Sequence, residues 1–254
     1  MPANRSESMS EQGQTPVAPQ KATREPVFLL PGSVSALAGV MIVIHLASTF
    51  VLNQDGMIQL IFWGAFQPLR FVAMADDPSL GLPLLWTPFT HALLHGGWEH
   101  LLVNVAWLAI FATPIARRYG AGPMLAIFFV SALAGAIFFA ATTLYSGAYL
   151  IGASGGVAGL TGAACRFIFQ PVIYAEHPET GQRVMVGRQL ASWGDLWRDT
   201  RARMFVLIWV VLNAAVPLLP LVTGSDMSIA WQAHLGGFAA GILMVGLFER
   251  RSAH

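Results

Sequence analysis

Six apolar runs, at residues 33–52, 98–115, 123–145, 154–170, 204–222 and 229–248, constrain this chain more than any other feature. Each falls in the range of roughly 17–25 residues that carries a helix across ~30 Å of hydrocarbon. The balance of residue types agrees. Of 254 residues, 55% are hydrophobic and 11% charged, against about a quarter charged in a soluble domain. The expected fold is an all-α polytopic membrane protein with six transmembrane helices.

The placement of positive charge orients the runs. Arg117 and Arg118 lie in the short turn at 116–122, and Arg183, Arg188, Arg198, Arg201 and Arg203 lie in the loop at 171–203. Arg250 and Arg251 close the tail, whereas the connections at 145–153 and 223–228 hold no Lys or Arg. Lys and Arg concentrate in cytoplasmic loops. Six spans with both termini inside satisfy every connection. A net charge of +1 gives no ground for a nucleic-acid partner.

Residues 1–30 are expected to be a disordered tail, polar and rich in Ser, Gln and Pro, with no apolar core like that of a signal peptide. Residues 31–250 form the membrane domain. The connection at 53–94 is long but not polar. Its segment 57–74 is interrupted by Gln59, Gly64, Gln67, Pro68 and Arg70 and carries Phe62, Trp63 and Phe66. That pattern suits a partly membrane-embedded first loop lying near the outer leaflet. His45, inside the first run, reads as packed or snorkelling. The single cysteine, Cys165, excludes a disulfide framework and reads as a packing residue.

With this orientation the second, fourth and sixth runs begin at the outer face, and strongly polar residues sit near each beginning. His100 and Asn104 are one turn apart on one helical face. Ser154 opens the fourth run within Gly152-Ala153-Ser154-Gly155-Gly156. His234 lies about five residues into the sixth, roughly 8 Å deep at 1.5 Å per residue. Polar groups at this depth are costly and usually serve a site. The bland reading of the Gly-Ala-Ser-Gly stretch, small residues that let helices approach closely, stands beside the chemical one. Gly237 and Gly241 share a stripe with His234, so close packing would bring a hydroxyl within reach of an imidazole. A neutral histidine can take the serine proton during attack on a carbonyl and return it to the leaving amine. Asn104, His100 and the Ser154 backbone N–H are candidate donors to the oxyanion. No acidic residue sits at this level, which favours a dyad over a triad. His91 and His95 are spaced as metal ligands can be, but a His-Glu-x-x-His arrangement is absent. No metal or cofactor is expected.

The motifs His91-Ala-Leu-Leu-His95-Gly-Gly-Trp-Glu-His100-Leu-Leu-Val-Asn104, Gly152-Ala-Ser154-Gly155 and Ala233-His234-Leu-Gly-Gly237-Phe-Ala-Ala-Gly241 occur in that order. Together they resemble the rhomboid intramembrane serine proteases, over about residues 84–241. The resemblance implies a six-helix core, a Ser154–His234 dyad, and His100 and Asn104 at the oxyanion. It implies substrates that are transmembrane segments of other proteins, cut near the outer face, and gating by the fifth helix and the loop over the site. Three positions depart from the family's habit: Thr87 follows Trp86, Ala116 precedes the basic turn, and Ala158 stands where an aromatic commonly packs on the catalytic histidine. Two rivals are weighed. A catalytically silent rhomboid-like protein that binds transmembrane helices would generally lack the dyad. A small-molecule transporter would show internal repeats and broken helices at mid-membrane. The absence of a targeting extension suits a bacterial plasma membrane. Oligomeric state is not legible.

Overall fold

A computed structural model describes residues 30–176, 180–218 and 229–249. The tail expected at 1–30 lies almost wholly outside the described residues, as do Arg250, Arg251 and the connection at 223–228 with Asp226.

Ten α-helices are present among the described residues, four of them long: α1 Gly32–Phe50, α5 Trp98–Tyr119, α6 Ala121–Thr143 and α9 Thr200–Ala215. Shorter ones are α2 Gln54–Gly64, α3 Arg70–Ala73, α4 Thr87–Thr90, α7 Ser154–Ile168, α8 Trp193–Arg198 and α10 Trp231–Met244, with 3₁₀ turns at Pro78–Leu85, His91–Leu93, Val216–Leu218 and Val245–Phe248. Five helical stretches are long and apolar enough to cross a membrane: Gly32–Phe50, Trp98–Tyr119, Ala121–Thr143, Thr200–Leu218 and Trp231–Phe248. Large apolar side chains face outward on them, among them Ile110 (60% exposed), Leu212 (63%) and Leu243 (63%). In water such a surface would mark an interface, and on long apolar helices the partner is lipid.

The fourth expected span is a different object. α7 has 15 residues, about 22 Å at 1.5 Å per residue, which is short of the hydrocarbon thickness. Every residue from Gly155 to Phe167 is buried. A helix enclosed on all sides by protein need not match the bilayer's thickness, and its sequence of Gly, Ala, Thr and Cys lets neighbours come close. Cys165 packs there as expected, against Phe238 and Ile242.

α7 seats on α6 and α10 through glycine. A Cβ on Gly237 would meet the Gly155 carbonyl, and one on Gly241 would meet the Gly159 carbonyl. Both contacts step by four residues in the same direction, so α7 and α10 run parallel, with α10 starting somewhat more than one turn before the level of Ser154. α5 closes the other side with Leu101, Leu108, Phe111, Ala112 and Ile115, an i, i+3, i+4 stripe. α1 leans on α5 through Val34, Leu37, Met41 and His45. His45 is packed rather than snorkelling, edge-on to Trp98 with ring centroids 4.6 Å apart.

The segment expected in the outer leaflet contains no spanning helix. α2 begins where the Asn53 side chain accepts from the Gly56 N–H, and it has 11 residues. The connection is folded onto the bundle. Trp86 Nε1 donates to the Trp63 carbonyl at 2.7 Å, Thr90 Oγ1 donates to the Gly64 carbonyl at 2.9 Å, and Phe66 pairs with Leu150 in an isolated β-bridge.

The fold is mostly helical, as expected, with one addition: β1 Val172–Glu176 and β2 Arg183–Arg188 form an antiparallel hairpin within the loop at 171–203. At this end of the bundle Arg166 donates to the Ala191 carbonyl from Nε at 2.9 Å and to the Ile242 carbonyl from Nη1 at 3.1 Å. Arg118 and Glu249 pair at 2.6 Å, and Arg118 also donates to the Arg188 carbonyl.

Candidate active site

Ser154 is the first residue of α7, reached through a segment pinned at each step. Leu150 bonds back to Phe66, the Gly152 N–H donates to the His91 carbonyl at 2.9 Å, and the Ala153 N–H donates to His95 Nε2 at 3.4 Å. Gly152 has φ +116, a conformation that side-chain-bearing residues rarely adopt. The His100 ring also lies over it, with Cε1 and Nε2 each 2.6 Å from where a Cβ would stand. Only glycine suits both demands. The first bond inside α7 runs from Val157 N–H to the Ala153 carbonyl. The N–H groups of Ser154, Gly155 and Gly156 therefore precede the helical ladder and are available to an anion.

His91 and His95 take structural partners. His91 is 1% exposed, with Nδ1 3.1 Å from the Thr87 carbonyl. His95 receives the Ala153 N–H and meets the His100 ring edge-on at 5.1 Å. Among the described residues no three His, Cys, Asp or Glu side chains are grouped as metal ligands.

Ser154, His234, His100 and Asn104 all line one cleft of about 1720 Å³. The parallel glycine register sets the level. Gly155 opposes Gly237, so Ser154 stands level with Gly236, and His234 lies two residues further toward the mouth, about 3 Å at 1.5 Å per residue. No hydrogen bond joins the Ser154 and His234 side chains. Asn104 is 4% exposed and donates from Nδ2 to the His100 carbonyl at 2.8 Å, which leaves the second amide hydrogen for the cleft. Of the four glycines, Gly152, Gly237 and Gly241 leave no room for a Cβ, whereas a Cβ on Gly155 would meet the Ala233 carbonyl at an ordinary 3.4 Å.

One residue of the cleft escaped the reading of the sequence. Asn213, on α9, has its Oδ1 2.8 Å from Nδ1 of His234, while its Nδ2 donates to the Trp209 carbonyl at 2.8 Å. Trp209 stacks on Phe238 with centroids 4.2 Å apart and planes 18° from parallel. Ala158, also in the wall, leaves α7 without an aromatic beside the histidine. The available signal was an amide side chain inside an apolar run, the same signal that drew attention to Asn104.

A family model of the Rhomboid domain matches residues 83–251. The chain belongs to the rhomboid family. It is an integral membrane protein, as its apolar helices require. Rhomboid protease GlpG of Pectobacterium atrosepticum is 29% identical over 205 residues, covering 80% of this chain and 59% of that protein. Two Arabidopsis thaliana proteins are each 26% identical. RHOMBOID-like protein 1 aligns over 72% of this chain and 43% of its own length, and RHOMBOID-like protein 5 over 63% and 42%. The rhomboid chain described here thus spans about half the length of these relatives. The family match begins just before α4 and takes in all the candidate site residues, Asn213 included.

Proposed function

We propose that this rhomboid is an intramembrane serine endopeptidase that cuts transmembrane segments of other membrane proteins near the outer face. The observation that supports it best is the parallel seating of α7 on α10, which sets Ser154 and His234 at one level in the wall of one cleft. The relative named a protease lends the same support. In this reading the Ser154 hydroxyl attacks the scissile carbonyl carbon while His234 Nε2 takes its proton. The oxyanion is held by the Ser154 N–H, the His100 ring and the Asn104 amide. The C–N bond then breaks, the amine leaves with the proton from His234, and water resolves the acyl-enzyme by the same path. No metal or cofactor takes part. In the membrane, the five long stretches and enclosed α7 make six helices of a domain at 31–250, with both termini inside a bacterial plasma membrane and the α2 region embedded at the outer boundary.

The second reading, a silent rhomboid-like protein that binds transmembrane helices, draws on the missing Ser154–His234 hydrogen bond and on Ala158. Catalytic bonds are commonly long without substrate, so the protease reading is preferred. One experiment separates the two. A fluorophosphonate probe is expected to label the wild type and to miss Ser154→Ala and His234→Ala, with cleavage of a transmembrane substrate lost in both variants while each still inserts. Wild type that is folded yet unlabelled and inert would establish the silent reading instead.

A further inference from the structure

We infer that Asn213 is the positioning residue for the His234 ring, an assignment that deepens the protease reading and rests on it. Both ends of the Asn213 amide are engaged. Its Nδ2, which can only donate, reaches the Trp209 carbonyl, and its Oδ1, which can only accept, faces His234 Nδ1. An acceptor opposite Nδ1 places the ring proton on Nδ1 and leaves the lone pair on Nε2. That lone pair is what abstraction of the Ser154 proton needs. In a triad a carboxylate performs this service. Glu99 is the one carboxylate in the described wall of the cleft, and it is exposed at the start of α5.

The bond spans two helices. Asn213 belongs to α9 and His234 to α10, and one turn away the Trp209–Phe238 stack holds the pair in register. Ala202, Phe205, Trp209 and Asn213 follow an i, i+3, i+4 spacing, the face α9 turns to the bundle. With a methyl group at Ala158, α7 offers the imidazole no aromatic surface, and its partner comes from α9 instead.

The test uses the full chain in lipid nanodiscs, with histidine rings labelled with ¹⁵N and His234→Gln used to assign the signal. Wild type is expected to carry the proton on His234 Nδ1, and Asn213→Leu, of similar volume and without an acceptor, is expected to lose that population. Against a transmembrane-segment substrate, Asn213→Leu should lower kcat by about 10²-fold with KM within about twofold. Asn213→Asp restores an acceptor and should keep kcat within about fivefold of wild type. A wild-type ring protonated on Nε2, undiminished kcat in Asn213→Leu, or equal losses in the Leu and Asp variants would each overturn the assignment. The tautomer of the wild type needs no variant to fold and no catalysis to be read. A correct tautomer in a protein that the fluorophosphonate never labels would therefore sink the protease reading alone, and an incorrect one in a labelled protein would sink the Asn213 assignment alone.

Discussion

Gly152 shows how narrowly single residues are specified around the serine. Its φ of +116 and the His100 ring at 2.6 Å from a would-be Cβ act together. Forcing a side chain into such a backbone costs on the order of 1–3 kcal/mol, and here it would also push His100 from its place in the wall of the cleft. Gly152→Ala is therefore expected to melt several degrees lower in micelles and to label with fluorophosphonate more slowly. Unchanged melting and labelling would contradict the account. Ser154, His234, His100 and Asn104 could be picked from the sequence because each is polar near the start of a run that begins at one face. Asn213 could not be picked in that way. It lies at the middle of a run that begins at the opposite face, and a lone amide in an apolar stretch reads as helix glue. Its partner became evident only when α9 and α10 were brought side by side.

At the scale of elements, the fit between α7 and α10 leaves no room for a side chain. Filling such a space costs about 1–3 kcal/mol or more when backbone must move, and the atoms opposite Gly241 belong to the Gly159 backbone. Gly241→Val is thus predicted to lower the melting temperature and to abolish labelling of Ser154. Gly39→Val, on α1 with nothing within 4 Å of a Cβ, should change neither. Equal effects at the two positions would show that helix propensity rather than close approach governs them. Apolar runs and their small-residue stripes made these helices readable in advance. The β1–β2 hairpin was hidden for the opposite reason. Val172, Ile173 and Tyr174 are followed by a loop rich in arginine, so the loop's charge dominated its reading, and β1 buries little that would have set a period of two.

Across the whole molecule, arginines gather at one end and the cleft opens at the other. Arg118 joins β2 and Glu249 there, and Arg166 ties α7 to Ala191 and Ile242. In the orientation proposed above, that end faces the cytoplasm. Cysteines introduced at Thr180 and Ser146, both exposed, provide the check, since the native Cys165 is buried. A membrane-impermeant maleimide added outside intact cells should modify Ser146→Cys and spare Thr180→Cys, and the reverse pattern would invert the topology. The five membrane-length stretches were legible in the sequence as apolar runs. That one run is too short to meet lipid at both ends was not, because its enclosure depends on neighbours distant in the chain.

The thin attachment of α9 carries a last consequence. Ala202 is its only buried residue, and the helix holds to its neighbours along a single seam. Were it to swing outward and let a substrate slide in from the bilayer, Asn213 would leave with it and the imidazole would lose its anchor. Asn213→Leu imitates that ajar condition chemically. Admission and reactivity would then be mutually exclusive postures of one hinge, a safety catch that keeps the blade sheathed until the door has shut behind its guest.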